Sequence, residues 1–221
     1  MLLFSKVVHV LAVGMWFGTC VFFTFVVGLT LFGVFGDLAA NESRPLWLPL
    51  PAEYQKPRPS ERFPDPLRKE QGSRVAGAAV GALFPWYYGI QAVCAILAVL
   101  TALAWVDTPA VGVNRARFIV VVLALVTVGA GWWLERVVHN KGVVREQTSE
   151  VVLRSPQPSD QQIQEADQAR ADFGQWHVYS LLVNFATVGL VLVAMAMAAA
   201  LPARAAETSR TIPRPQALHR V

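Results

Sequence analysis

Charge is scarce in this chain. Asp, Glu, Lys and Arg supply 15% of its 221 residues, against about 25% in an ordinary soluble domain. Cysteine is scarcer still: Cys20 and Cys94 are the only two, and both lie inside long apolar runs, which excludes a disulfide scaffold and any C-x-x-C redox or zinc site. No nucleophile elbow, P-loop, dinucleotide fingerprint or zinc-protease helix is present. The net charge of +4 and pI near 9.4 come from basic residues scattered through connections and a tail, with no basic stripe or aromatic platform, so nucleic acid is not an expected partner. What the chain has instead is apolar residues, 54% of the total, and a positive mean hydropathy of +0.42.

Four stretches hold no formal charge: 7–36, 75–106, 118–134 and 173–203, which are 30, 32, 17 and 31 residues long. All charged residues fall in the other half of the chain, the segregation expected when a hydrocarbon layer about 30 Å thick asks for roughly 20 apolar residues per crossing. The expected fold is therefore all-α, an integral membrane bundle of four transmembrane helices. The third stretch is short, and Arg115 and Arg117 before it are expected to snorkel to the surface. In the second, Trp86 and Trp105 mark two membrane interfaces. The first stretch exceeds a signal-peptide core and no A-x-A site follows it, so a retained helix is expected.

The membrane domain is expected to cover residues 1–203. Within it, 37–74 reads as a proline-rich, poorly ordered loop, since seven of the fourteen prolines lie there. Residues 136–172 read as a polar helical connection: the third helix continues past the membrane, Ser155-Pro156-Gln157-Pro158 breaks it, and a capping box of Ser159 and Gln162 starts a second polar helix. Residues 204–221 form a basic tail expected to be disordered. Four crossings place both termini and the 107–117 loop on one side, here side A, and both long connections on the other, side B. Seven Lys and Arg fall on side A and twelve on side B. The denser, net positive side A is expected to be cytoplasmic, in the plasma (inner) membrane if the source is bacterial.

Polar side chains within the spans ask for partners. His9 and Trp16 share a face of the first helix, and Gly14 and Gly18 form a G-x-x-x-G there, as Gly77 and Gly81 do in the second. The second span opens on Pro85, with Tyr87 and Gln91 following. Glu135 and Arg136 end the third, with His139 beyond. His177, Ser180, Asn184 and Thr187 fall at helical spacing on one face of the fourth and are expected to point into the bundle. By topology Trp86, Tyr87, Glu135, Arg136, His139, Trp176 and His177 all meet side B. Each feature also has a packing reading: small residues for close helix approach, interhelical hydrogen bonds, and an aromatic belt with one ion pair.

These residues, in this order, resemble the transmembrane protein 205 family of small four-helix membrane proteins. The resemblance rests on His9, Trp16 and Thr24-Phe25-x-x-Gly28-x-x-Leu31-Phe32 in the first helix and Leu83-Phe84-Pro85 at the second. Trp133-Leu134-Glu135 at the end of the third and His177-x-x-Ser180-x-x-x-Asn184 in the fourth complete it. It covers the helices, roughly half the chain. Arg136 stands where that family tends to have proline, and the connection between the first two helices is longer. The resemblance implies an integral membrane protein without established enzymatic activity, linked with tolerance of platinum drugs and with metal handling.

The leading expectation is accordingly a non-enzymatic multi-pass protein that handles a small solute or soft metal ion, with no resident cofactor. Its polar cluster is His9, Trp16, Pro85, Tyr87, Gln91, Glu135, Arg136, His177, Ser180 and Asn184. Cys20 and Cys94 would add soft donors if they faced one another. One alternative is a haem-binding membrane oxidoreductase, since haem iron takes histidine ligands held between helices. The other is a structural or partner-binding module. The expected partners are the lipid bilayer and a second copy of the chain, joined through Gly14/Gly18 and Gly77/Gly81.

Overall fold

The structure is a computed structural model that describes residues 2–41, 47–48, 50–106 and 111–200. Among the described residues there is no strand. A first rod is made of α1 (Leu2–Val21), a π-helical turn (Phe22–Gly28) and α2 (Leu29–Ala40). It is followed by α3 (Arg68–Leu103), α4 (Val111–Arg154) and α5 (Asp160–Ala199). All four rods are long and apolar enough to cross a membrane.

Their order is a square. The first rod packs on α3, α3 on α4, α4 on α5, and α5 back on α1, so that α1 faces α4 and α3 faces α5 across the bundle axis. At about 1.5 Å per residue these rods are nearly twice as long as a hydrocarbon layer about 30 Å thick. The excess gathers on side B, where the uncharged stretches give way to charged helix, and the four extensions form a second, polar storey here called the cap. The apolar storey is packed from small residues and rings: Val13, Trp16, Cys20, Tyr87, Tyr88, Ala95, Ala98, Val121, Ala124 and Val191 are buried together. Its outer face carries Phe4, Leu11, Met15, Phe22, Leu100, Val126 and Leu182, all exposed. So large an apolar exterior is what a bilayer would cover.

The connection before α3 departs from the expected disordered loop. α2 runs on to Ala40, Ala52–Gln55 forms a 3₁₀ turn, and α3 begins at Arg68. Phe63 and Leu67 are buried against Val152, Leu153 and Ala166 where α4 turns into α5. Lys56 Nζ donates to the Leu153 carbonyl at 3.1 Å, and Ser60 Oγ donates to Asp167 at 2.6 Å. The prolines keep this segment out of helix without keeping it off the protein; it is a strap tied down by two apolar residues and two hydrogen bonds. The other connection follows expectation. α4 continues to Arg154, the Ser-Pro-Gln-Pro sequence breaks it, and α5 opens with Ser159 and Gln162 in a reciprocal capping box. The basic tail expected at 204–221 lies outside the described residues.

One contact fixes how closely the first rod meets α3. A Cβ on Gly72 would lie 2.8 Å from the Phe35 carbonyl carbon and 2.9 Å from Gly36 Cα, so only glycine allows this backbone approach. The glycines of the two G-x-x-x-G pairs, by contrast, have nothing within 4 Å of an added Cβ.

Candidate functional site

Polar side chains enter the apolar storey in layers, and one bond among them, Tyr87 to Asn184, joins α3 and α5, which do not pack on one another. The layer nearest side A centres on His9, which is 0% exposed. Its Nδ1 lies 2.9 Å from Thr101 Oγ1. The Thr101 hydroxyl proton goes to the Leu97 carbonyl at 2.6 Å, so His9 Nδ1 is the donor in this pair and Nε2 carries the lone pair. No hydrogen-bond partner meets that buried Nε2. The edge of the Trp105 ring packs on the imidazole at 5.2 Å, and Arg117 lies over the same indole at 5.8 Å. Arg117 does not snorkel outward as expected. It is buried and donates to Asn114 Oδ1 at 3.2 Å and to the Met197 carbonyl at 3.0 Å, capping the end of α5, while Arg115 two residues earlier is exposed. Trp105 is likewise turned inward, leaving Trp86, 73% exposed, as the interfacial indole of that helix.

The central node joins three helices. Gln91 Oε1 accepts from Trp16 Nε1 at 3.1 Å and from Cys20 Sγ at 3.2 Å. One turn toward side B, Tyr87 OH donates to Asn184 Oδ1 at 2.6 Å, and Asn184 Nδ2 donates to Thr24 Oγ1 at 2.8 Å. Phe23 stacks on Tyr87 with ring centres 4.1 Å apart. Both Phe23 and Thr24 belong to the π-helical turn, a geometry that often marks functional positions in helices. Beside the node, Thr187 donates to Thr127 at 2.8 Å and ties α5 to α4.

The expected inward stripe on α5 is thus only half realised. Asn184 and Thr187 point into the bundle, whereas His177 is exposed and stacks on Phe173 of its own helix at 5.7 Å. Ser180 is half-buried without a contact to the node. The expected side B cluster also divides. Tyr87 belongs to the interior node. Trp133 and Trp176 meet edge to face at 6.4 Å. Glu135, Arg136 and His139 line a separate cleft with Pro85. Glu135 forms no ion pair with Arg136 or His177 among the described residues, so the ion pair of the packing reading is not formed there.

The polar group that sequence reasoning missed is in the cap. Glu70, 3% exposed, sits between α3, α4 and α5. Arg170 donates to it at 3.0 Å and to Ser149 Oγ at 2.9 Å, while its guanidinium covers the Phe63 ring at 3.7 Å. Arg74 reaches Glu70 at 3.4 Å, Glu150 at 3.1 Å and the Glu146 carbonyl at 3.2 Å. Burial pushes the Glu70 carboxyl up. The hydrogen bond and charge of Arg170, with the charges of Arg145 and Arg74, outweigh it and hold the group below the usual carboxylate range. The available signal was the spacing Glu70 to Arg74 and Arg145 to Ser149, each one helical turn.

Donors for a metal or cofactor are few. Among the described residues no group of three or more His, Cys, Asp or Glu side chains gathers. Cys20 and Cys94 are free thiols in one buried cluster. His139 lines the cleft while His177 lies on Phe173, so the structure does not bring them together as a ligand pair. Comparison with protein-family models, with curated proteins and with solved structures gives no match for this chain.

Proposed function

We propose that the chain is a non-enzymatic multi-pass membrane protein of the transmembrane protein 205 type that binds a small polar solute or soft cation inside its bundle. One observation carries this reading: Trp16 and Cys20 of the first rod bonded to Gln91 of α3, and Thr24 of the first rod and Tyr87 of α3 bonded to Asn184 of α5, form two hydrogen-bonded groups one helical turn apart within a mainly apolar interior. Such groups are rare at that depth and commonly line a path or site. Tyr87, Gln91 and Asn184 would hold a polar ligand, and the Cys20 thiol, with Cys94 in the same cluster, would hold a soft one. On this reading side A faces the cytoplasm. Two copies would pack through the open Gly14/Gly18 face, which lets neighbouring backbones approach closely.

The test is Ag(I) binding to detergent-purified protein, measured by calorimetry, with Ag(I) standing in for a soft monovalent cation. Stoichiometric binding that disappears in Cys20→Ser supports the soft-cation form. No binding by the wild type removes it and leaves only the polar solute. The haem alternative has a separate observation in its favour, the buried and unpartnered Nε2 of His9. An absorption spectrum before and after dithionite decides it: a Soret band lost in His9→Ala would replace the solute reading with an oxidoreductase.

A further inference from the structure

Between the central node and the cap lies a cleft of about 400 Å³ lined by Gly81, Pro85, Glu135, Arg136, His139 and Asn140. Its size falls in the range of small-molecule sites, roughly 300–1,000 Å³. It opens outward between α3 and α4, beside exposed Trp86, Trp132 and Trp133. Indoles settle at the level where hydrocarbon gives way to headgroups, so this cleft lies at headgroup depth.

Its lining carries opposite charges that do not neutralise one another. Arg136 is exposed and Glu135 half-buried, and no ion pair joins them among the described residues. His139 and Asn140, one turn further along α4, add side-chain N–H donors. A further acceptor comes from the backbone. Pro85 has no N–H, so the carbonyl of Gly81, four residues earlier in α3, lacks the helical donor that any other residue at 85 would supply. That carbonyl belongs to another residue lining the cleft. The lining therefore offers both hydrogen-bond donors with a positive charge and acceptors with a negative one.

The geometry points to a binding site for a zwitterionic phosphoethanolamine headgroup, held by a phospholipid whose chains lie along the apolar outer face below. Arg136, Asn140 and a His139 N–H would take the phosphodiester, whose planar pairing with guanidinium is favourable. Glu135 and the Gly81 carbonyl would take the primary ammonium. A quaternary ammonium offers no N–H to either acceptor, and a glycerol headgroup offers no charge to Glu135. The site thus selects phosphatidylethanolamine over phosphatidylcholine and phosphatidylglycerol. The inference rests on the chain spanning a bilayer, not on what the central node binds.

The experiment is native mass spectrometry of the full chain released from detergent with equal amounts of the three phospholipids. Resistance of the protein to alkaline carbonate extraction from membranes checks the bilayer reading separately. The wild type is expected to retain phosphatidylethanolamine at least fivefold over the other two. Glu135→Gln abolishes the preference over phosphatidylglycerol, while Arg136→Gln lowers retention of all three. Asn140→Ala, a milder change among the donors, reduces retention about twofold to threefold and serves if Arg136→Gln fails to fold. Soluble phosphoethanolamine at millimolar concentration displaces the lipid if the headgroup alone is recognised. If it binds as tightly as the lipid, the natural occupant is a free phosphomonoester and the lipid assignment falls. Equal retention of the three lipids, or a preference indifferent to Glu135→Gln, overturns the site.

Discussion

Replacing Glu70 by glutamine removes one charge and almost no volume, and the structure gives the consequence a size. Among the described residues Glu70 is the only carboxylate buried among Arg74, Arg145 and Arg170, and Arg170 has no other acid within ion-pair distance. Removing one partner from a buried pair costs about 3–5 kcal/mol, because the remaining ion stays desolvated. Arg74 keeps Glu150 at 3.1 Å, which offsets part of the loss and places the expected cost at the lower end, about 3 kcal/mol. Hydrogen exchange in nanodiscs reads it locally: amides of α4 and α5 around Ser149 and Ala166 should exchange on the order of a hundredfold faster, at 1.4 kcal/mol per tenfold, while those around Ala124 and Val191 hold their rates.

The same group sets a pH dependence whose sign follows from its depressed pKa. Unfolded, a glutamate titrates near about 4.3; folded, Glu70 titrates lower. Its contribution is therefore complete above the unfolded value and is lost as pH falls through the folded one. Cap protection should be flat from neutrality to about pH 5 and decline below about 4.3. In Glu70→Gln the part of that decline owed to residue 70 disappears. A variant within about 0.5 kcal/mol of wild type, the ordinary scatter of surface substitutions, would refute the claim that this carboxylate holds the cap together.

Gly72→Ala should destabilise the protein by about 1–3 kcal/mol in denaturing-detergent titration, since the new methyl meets the Phe35 carbonyl and backbone cannot step aside as a side chain would; Gly77→Ala, with open space around it, should be silent. Phe63→Ala should cost about 3–5 kcal/mol and free the strap, read as new tryptic cleavage after Arg62, since Pro57 and Pro59 protect the bonds after Lys56 and Arg58; an unchanged digestion pattern would count against a docked strap. Gln91→Leu strands the Trp16 N–H and the Cys20 thiol and should cost about 1–2 kcal/mol, with a shift in Trp16 fluorescence; an unshifted spectrum would argue against the bond.

Much of this fold could be read in advance where the physics is local. The four spans follow from the charge-free runs, and the start of α5 follows from Ser159 and Gln162, whose reciprocal bonds need no third partner. His9 and Trp16 announced one face because they are seven residues apart. Residues whose fate depends on helix rotation were not legible. Arg115 and Arg117 look alike in sequence, yet two residues turn a helix by about 200°, and only packing decides which of them enters the bundle. Thr24 needed the π turn. A regular α-helix carries it about 80° round from Trp16, and the wider turn takes back part of that rotation. The strap failed for a related reason: proline density predicts the absence of helix, but the burial of Phe63 and Leu67 depends on a hydrophobic recess that α4 and α5 create.

The layers follow a common rule graded by depth. In the apolar storey the diagonal between α3 and α5 is crossed by neutral groups, Tyr87 and Asn184. An uncompensated ion there would cost several kcal/mol, whereas neutral interhelical bonds cost little to bury and return about 1 kcal/mol each. In the cap, where water lowers the penalty, the same diagonal between α3 and α5 is crossed by an ion pair, Glu70 with Arg170. Both levels hold helices that have no backbone contact, so both resist sliding and rotation. Between them the bonding stops: among the described residues no side chain of α3 from Val75 to Trp86 makes a cross-helix hydrogen bond. Pro85 lies in this stretch and weakens the helix's own ladder. A bundle pinned above and below an unpinned level can part there without losing its register, and the cleft between Gly81 and Arg136 is where it does.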